Sequence, residues 1–153
     1  MQKITPFLWF DGNLEEAVNL YVSIFPGSRV MSMNRQGPGG PVFSATFQLA
    51  GTTFMGLNGG PQFKFTEAIS MFIACDTQAE IDRYWDQLLA GGGAPSQCGW
   101  LKDRFGLSWQ VVPSMLGELL GGSDPARSQR VMQALMKMVK LDIRGLRDAA
   151  EKP

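Results

Sequence analysis

Asn13-Leu-Glu-Glu-Ala-Val-Asn-Leu-Tyr-Val-Ser-Ile-Phe-Pro-Gly27 is answered 64 residues later by Thr77-Gln-Ala-Glu-Ile-Asp-Arg-Tyr-Trp-Asp-Gln-Leu-Leu-Ala-Gly91. Each stretch opens on a residue that can cap a helix, with a glutamate three positions on, the pattern of a capping box. Each carries an apolar stripe at helical spacing: Ala17, Leu20, Tyr21, Ile24 and Phe25 in one, Ile81, Tyr84, Trp85, Leu88 and Leu89 in the other. Pro26-Gly27 stops the first helix and Gly91-Gly92-Gly93 the second. At one constant offset Asn13 meets Thr77, Glu16 meets Glu80, Tyr21 meets Trp85, Ile24 meets Leu88 and Gly27 meets Gly91. Caps, stripe and stop agreeing together point to a duplicated module.

The flanks repeat as well. Ile4 to Phe10 reads as a strand, with Pro6 suited to its beginning or to an edge. Arg29 to Arg35, Val42 to Leu49 and Thr53 to Asn58 follow the first helix, separated by turns at Gly37 to Pro41 and Ala50-Gly51. Ile69 to Cys75 precedes the second helix, and short strands near Pro95 to Gln97, Gly99 to Lys102 and Leu107 to Val112 follow it. The expected class is α+β: tandem βαβββ modules, about 3–58 and 69–113, forming a curved mixed sheet with helices outside and a concave cleft inside. A helical extension, 114–153, comes next. It comprises Ser114 to Leu120, a longer helix capped by Ser123 with Pro125 in its first turn, and Asp142 to Ala150. Val131, Met132, Leu135, Met136 and Val139 make a sticky face that either covers the sheet or a dimer partner, or forms a Met-lined lid.

Composition narrows the function. The 153 residues balance 14 basic against 14 acidic side chains, so no bulk charge draws the chain to nucleic acid or an anionic membrane. No apolar run approaches the roughly 20 residues that span a bilayer. Cys75 and Cys98 form no CxxC and no secretory leader pattern precedes them, which predicts reduced thiols in the cytoplasm. Histidine is absent, which removes the commonest general base and metal ligand.

Longer motifs carry a resemblance: Thr5-Pro-Phe-Leu-Trp-Phe-Asp-Gly12, Phe25-Pro-Gly27, Gly56-Leu-Asn-Gly-Gly-Pro61, Phe65-Thr-Glu-Ala-Ile-Ser70, Glu80-Ile-Asp-Arg-Tyr-Trp85 and Cys98-Gly-Trp-Leu-Lys-Asp-Arg-Phe-Gly-Leu-Ser-Trp-Gln-Val-Val-Pro113. With them the chain, from about residue 3 to 150, resembles the PhnB-like branch of the vicinal oxygen chelate superfamily, which includes glyoxalase I and bleomycin-resistance proteins. The resemblance implies a homodimer and a cleft for a small organic molecule. In the superfamily a divalent metal is typically held by His, Glu or Gln on the first, fourth, fifth and eighth strands. Counted from the helix starts, those positions fall near Pro6, Gly56 or Asn58, Ser70 and Gln110. Only Gln110 keeps a ligand-type side chain, and neutral groups repay poorly the dehydration of a divalent ion, so neither a metal nor another cofactor is expected. Proteins of this branch often carry a ubiquinone-biosynthesis methyltransferase label. The Gly37-Pro-Gly-Gly40 run precedes a strand, not a helix, and reads as a hairpin turn instead of a phosphate loop.

Strand alternation selects the site. Gln110 shares its side with Ser108 and Val112, Ser70 with Phe72 and Ala74, and Asn58 with Phe54 and Gly56, while Trp109 packs under a helix. Asn58, Ser70, Gln110, Phe72, Phe54 and Trp100 are therefore the candidate ligand-binding residues, and no catalytic residue is assigned. The competing reading is that these polar groups satisfy one another. The alternative function is a metal-independent or substrate-assisted isomerase or lyase, for which Glu67 is the nearest carboxylate base. Lys102 and Asp103 read as a turn-stabilising pair, Cys98 as structural, and Phe63 and Phe65 as packing at the junction between modules.

Overall fold

The structure, a computed structural model, describes residues 2–152 and divides into two compact units, the first ending at Phe65 and the second beginning at Thr66. In the first unit, β1 (Phe7–Phe10), α1 (Leu14–Ile24), β2 (Arg29–Arg35), β3 (Val42–Leu49) and β4 (Thr52–Asn58) make a four-stranded sheet of order β1-β4-β3-β2. The β1–β4 pair is parallel and the others are antiparallel. Leu14, Ala17, Val18, Tyr21 and Ile24 bury the inner stripe of α1 against Leu8, Phe10, Ala45 and Phe47. Gly56 lets the helix sit close: a Cβ there would lie 2.7 Å from the Leu14 side chain and 3.3 Å from the Leu8 carbonyl. The 37–40 turn joins antiparallel β2 and β3, and Gly40 is demanded by the Gln36 carbonyl, 1.9 Å from where a Cβ would stand.

One local expectation fails in α1. Asn13 occupies the N-cap but its side chain makes no capping bond. The Leu14 N–H donates instead to Asn58 Oδ1 at 3.0 Å, and Asn58 Nδ2 donates to the Val42 carbonyl at 3.0 Å. The helix is thus capped from the end of β4.

The second unit repeats the plan with β5 (Ser70–Cys75), α2 (Gln78–Leu89), β6 (Ala94–Pro95), β7 (Trp100–Lys102) and β8 (Ser108–Pro113), in the order β5-β8-β7-β6. Here the cap forms, with the return bond of the capping box displaced by one residue: Thr77 Oγ1 accepts from the Glu80 N–H at 3.1 Å, and the Glu80 carboxylate accepts from the N–H of Asp76, just before the cap, at 2.7 Å. The β7–β8 turn closes around Asp103, only 3% exposed. Its Oδ1 accepts from the Phe105 and Leu107 amides at 2.9 and 3.1 Å, and its Oδ2 from the Trp109 indole N–H at 2.9 Å. Asp103 is therefore the knot of the turn, not the partner of Lys102.

α3 (Leu116–Leu120), α4 (Pro125–Met136) and α5 (Ile143–Glu151) belong to this second unit. Val112 of β8 joins Leu116, Leu119, Val131, Leu135, Leu141, Leu146 and Ala150 in one buried cluster. Backbone bonds from the Cys98 and Gly99 amides to the Met138 and Val139 carbonyls, at 2.9 and 2.8 Å, stitch the extension to β7. Gln78 adds a clamp, donating to the Leu141 carbonyl and accepting from the Ile143 N–H. The cap of α4 is Asp124 and not Ser123, because Asp124 Oδ1 takes the Ala126 and Arg127 amides. Of the expected sticky face, Val131 and Leu135 turn inward, while Met132, Met136 and Val139 stay exposed. Among the described residues no helix is long and apolar enough to cross a membrane.

Cys75 and Cys98 are both free thiols. Cys75 is fully buried, and burial, assisted by the Glu80 charge, pushes its thiol up to about 12. A thiol-specific reagent at pH 8 should therefore modify one cysteine per native chain and two in denaturant; two fast-reacting thiols in native buffer would contradict this. The sign follows for stability too. Below the ordinary thiol range Cys75 is neutral whether the chain is folded or not; between about 9 and about 12 the unfolded chain alone ionises, so stability falls as pH rises through that window.

Candidate functional site

The face of the second sheet opposite α2, covered at Val112 by the C-terminal helices, carries two adjacent rows of side chains toward its other end. β5 pairs parallel with β8 and β7 pairs antiparallel with it, so Phe72, Gln110 and Trp100 stand abreast, as do Ser70, Ser108 and Lys102. Trp109, Val111 and Leu101, at 3%, 0% and 1% exposure, take the opposite face under α2. Phe72 is 61% exposed, an aromatic side chain left in water beside an amide. Gln110 Nε2 donates to Ser70 Oγ at 2.9 Å across the two rows. That bond leaves the Ser70 hydroxyl proton and the Gln110 carbonyl oxygen available.

The lower row holds two further features. Lys102 Nζ pairs with Glu67 Oε1 at 2.7 Å. Glu67 lies just before β5 and Lys102 on β7, so the ion pair joins the two strands that flank β8 at the level of Ser108. The hydrogen bond and charge of Lys102 hold the Glu67 carboxyl below the usual carboxylate range. Ser108 is 1% exposed, and its Oγ has no hydrogen-bond partner among the described residues.

Asn58 and Phe54 do not share such a face. Phe54, Gly56 and Asn58 point to the side of the first sheet covered by α1. Phe54 is 8% exposed and stacks on Phe47 at 5.7 Å, and the Asn58 amide is occupied by Leu14 and Val42. Asn58 also borders a hollow of about 380 Å³ within the first unit, beside the Arg35–Glu15 ion pair. The open side of that sheet carries Phe7, Trp9, Met55 and Leu57 instead, paired across β1 and β4. The error has a physical origin. From the last strand residue to the first helical one takes four steps in the first module, Phe10 to Leu14, but three in the second, Cys75 to Gln78. Counting back from the helices therefore slips by one. The counterpart of Ser70 is Thr5 and not Pro6, and the counterpart of Gln110, paired with Phe7 as Gln110 is with Phe72, is Met55. Phe63 and Phe65 pack within the first unit, on Trp9 and Phe10 at 4.9 and 5.3 Å between ring centres.

A divalent ion finds little here. At Ser70 and Gln110 the second sheet offers one hydroxyl and one amide, already bonded to each other, and at their counterparts the first offers Thr5 and Met55. Among the described residues no group of three His, Cys, Asp or Glu is placed to hold an ion. The donor set does not fit a side-chain-held metal.

A family model described as 3-demethylubiquinone-9 3-methyltransferase matches residues 2–112. A solved PhnB protein from Bacillus cereus, given the same methyltransferase description, is 38% identical, with a TM-score of 0.68 over 73% of this chain and 99% of that one. A protein from Pseudomonas aeruginosa is 22% identical, with a TM-score of 0.59 over 71% of this chain and 95% of its own. The fosfomycin resistance protein FosX from Mesorhizobium loti shares the fold at 14% identity and a TM-score of 0.58, over 80% and 99% of the two chains. No curated protein matches. The family match stops at β8, so α3 to α5 lie beyond it.

Proposed function

The chain belongs to the PhnB-like family of the vicinal oxygen chelate superfamily, and from that premise we propose that it binds a small organic molecule against the open face of β5, β8 and β7, without a metal held by side chains. The observation that carries this reading is the Gln110–Ser70 hydrogen bond set between exposed Phe72 and half-buried Trp100. A fixed amide flanked by aromatic rings is the usual make-up of a small-molecule site, a few oriented polar groups in apolar surroundings.

The methyltransferase description attached to the family is not part of this reading. The glycine run at 37–40 joins antiparallel β2 to β3, so it lacks the strand–loop–helix cradle that usually holds such a cofactor. An isomerase or lyase working through Glu67 is disfavoured as well, because a carboxylate held low by Lys102 is a weaker base than a free one.

Mass spectrometry of small molecules extracted from the purified protein tests the binding reading. One species should recur in independent preparations of the native chain and be lost from Gln110→Leu, whose melting temperature should hold or rise. Equal retention by the variant would return Gln110 to a structural role.

A further inference from the structure

The row Ser70–Ser108–Lys102 has more donors than the fold uses. Ser70 Oγ already accepts from Gln110, which leaves its proton to be given elsewhere. Ser108 has a buried hydroxyl with no partner among the described residues, a group that native structures seldom leave unsatisfied. Lys102 already grips a carboxylate, that of Glu67. These residues are neighbours on three consecutive strands, so their side chains rise from one line across the sheet. The next line up is Phe72–Gln110–Trp100. Its aromatics stand on strands separated by β8, on the order of 9.5 Å apart, enough to admit a flat ring beside either.

We propose that Ser70, Ser108 and Lys102 form a carboxylate-binding subsite for a planar aromatic acid, and that Glu67 closes it in the free protein by occupying Lys102 with its own carboxylate. The ring of the acid lies along Phe72, Gln110 and Trp100; its carboxylate displaces Glu67 and takes hydrogen bonds from both serines. The latch is weak by construction. Both of its side chains are substantially exposed, 42% for Lys102 and 64% for Glu67, and such pairs resist displacement little. Its release gives the acid access to the Ser108 hydroxyl, a buried donor that the fold leaves without a partner among the described residues. The inference rests on the binding reading above and deepens it by naming the ligand class.

Calorimetric titration of the full chain with 2-naphthoate, 2-naphthamide and inorganic phosphate tests it. Glu67→Gln should bind 2-naphthoate about threefold to fivefold tighter than the native chain, the gain expected from deleting an exposed internal competitor. Ser108→Ala should bind it roughly tenfold weaker, as loss of a hydrogen bond to a charged group requires, with an unchanged or raised melting temperature. The neutral amide should not respond to Glu67→Gln. The subsite would be overturned by no gain in Glu67→Gln, by full affinity in Ser108→Ala, or by phosphate binding as tightly as the aromatic acid. A lowered melting temperature in Ser108→Ala would do the same, by making the hydroxyl structural. If 2-naphthamide binds in a Gln110-dependent way and 2-naphthoate does not, the subsite falls and the open-face reading stands. If Gln110→Leu alters neither, both fall.

Discussion

Asp103→Ala will cost about 3–5 kcal/mol of folding stability, read as a shift in the urea midpoint at unchanged slope. The carboxylate, itself buried, accepts from two backbone amides of a half-buried turn and from the Trp109 indole. Hydrogen bonds to a charged acceptor contribute about 1.5–3 kcal/mol each, less than additively, and their removal strands the donors away from water. Asp103→Asn should cost about half as much. Its carbonyl can still serve the Phe105 and Leu107 amides, but its NH2 then opposes the indole N–H, donor against donor. Adding Trp109→Phe to Asp103→Asn should restore part of that loss, because the clash needs both partners. A loss below about 1 kcal/mol for Asp103→Ala would show that water replaces the carboxylate at little cost.

Leu146→Ala is the second large effect, expected at about 2–5 kcal/mol. Leu146 is fully buried and belongs to the cluster that includes Val112 of β8 and Leu141. α5 has nine residues, too few to persist in water by itself, so its stability derives from this packing. The form of the transition matters as much as its midpoint. Because the cluster includes a sheet residue, and because the Cys98 and Gly99 amides bond to the extension, the loss should appear in the main cooperative unfolding of the second unit. If Leu146→Ala instead splits off an early transition and leaves the main one in place, the extension is an appendage.

The features legible from the residues alone were those whose causes lie close together in the chain. The Thr77–Glu80 cap, the glycine stops and the alternation of β8 between Gln110 and Trp109 each depend on neighbours within a few positions, and each is found as expected. Asn58 was illegible because its partners are Leu14 and Val42, brought to it only by the sheet. Adjacency in the chain pairs Lys102 with Asp103, yet Lys102 reaches Glu67 across β8, while Asp103 turns inward to Trp109. The buried Ser108 hydroxyl also left no local mark; the period of two put it beside Gln110, but only three-strand register puts it between Ser70 and Lys102.

The unequal hinges ahead of the two helices have a practical corollary for protein engineers. Grafting side chains between β1 and β5 in the register of α1 and α2 would turn each transplanted group to the opposite face of its sheet. Thr5 and Met55, not their neighbours, are where a chemist wishing to install imidazoles on the open side of the first sheet should begin.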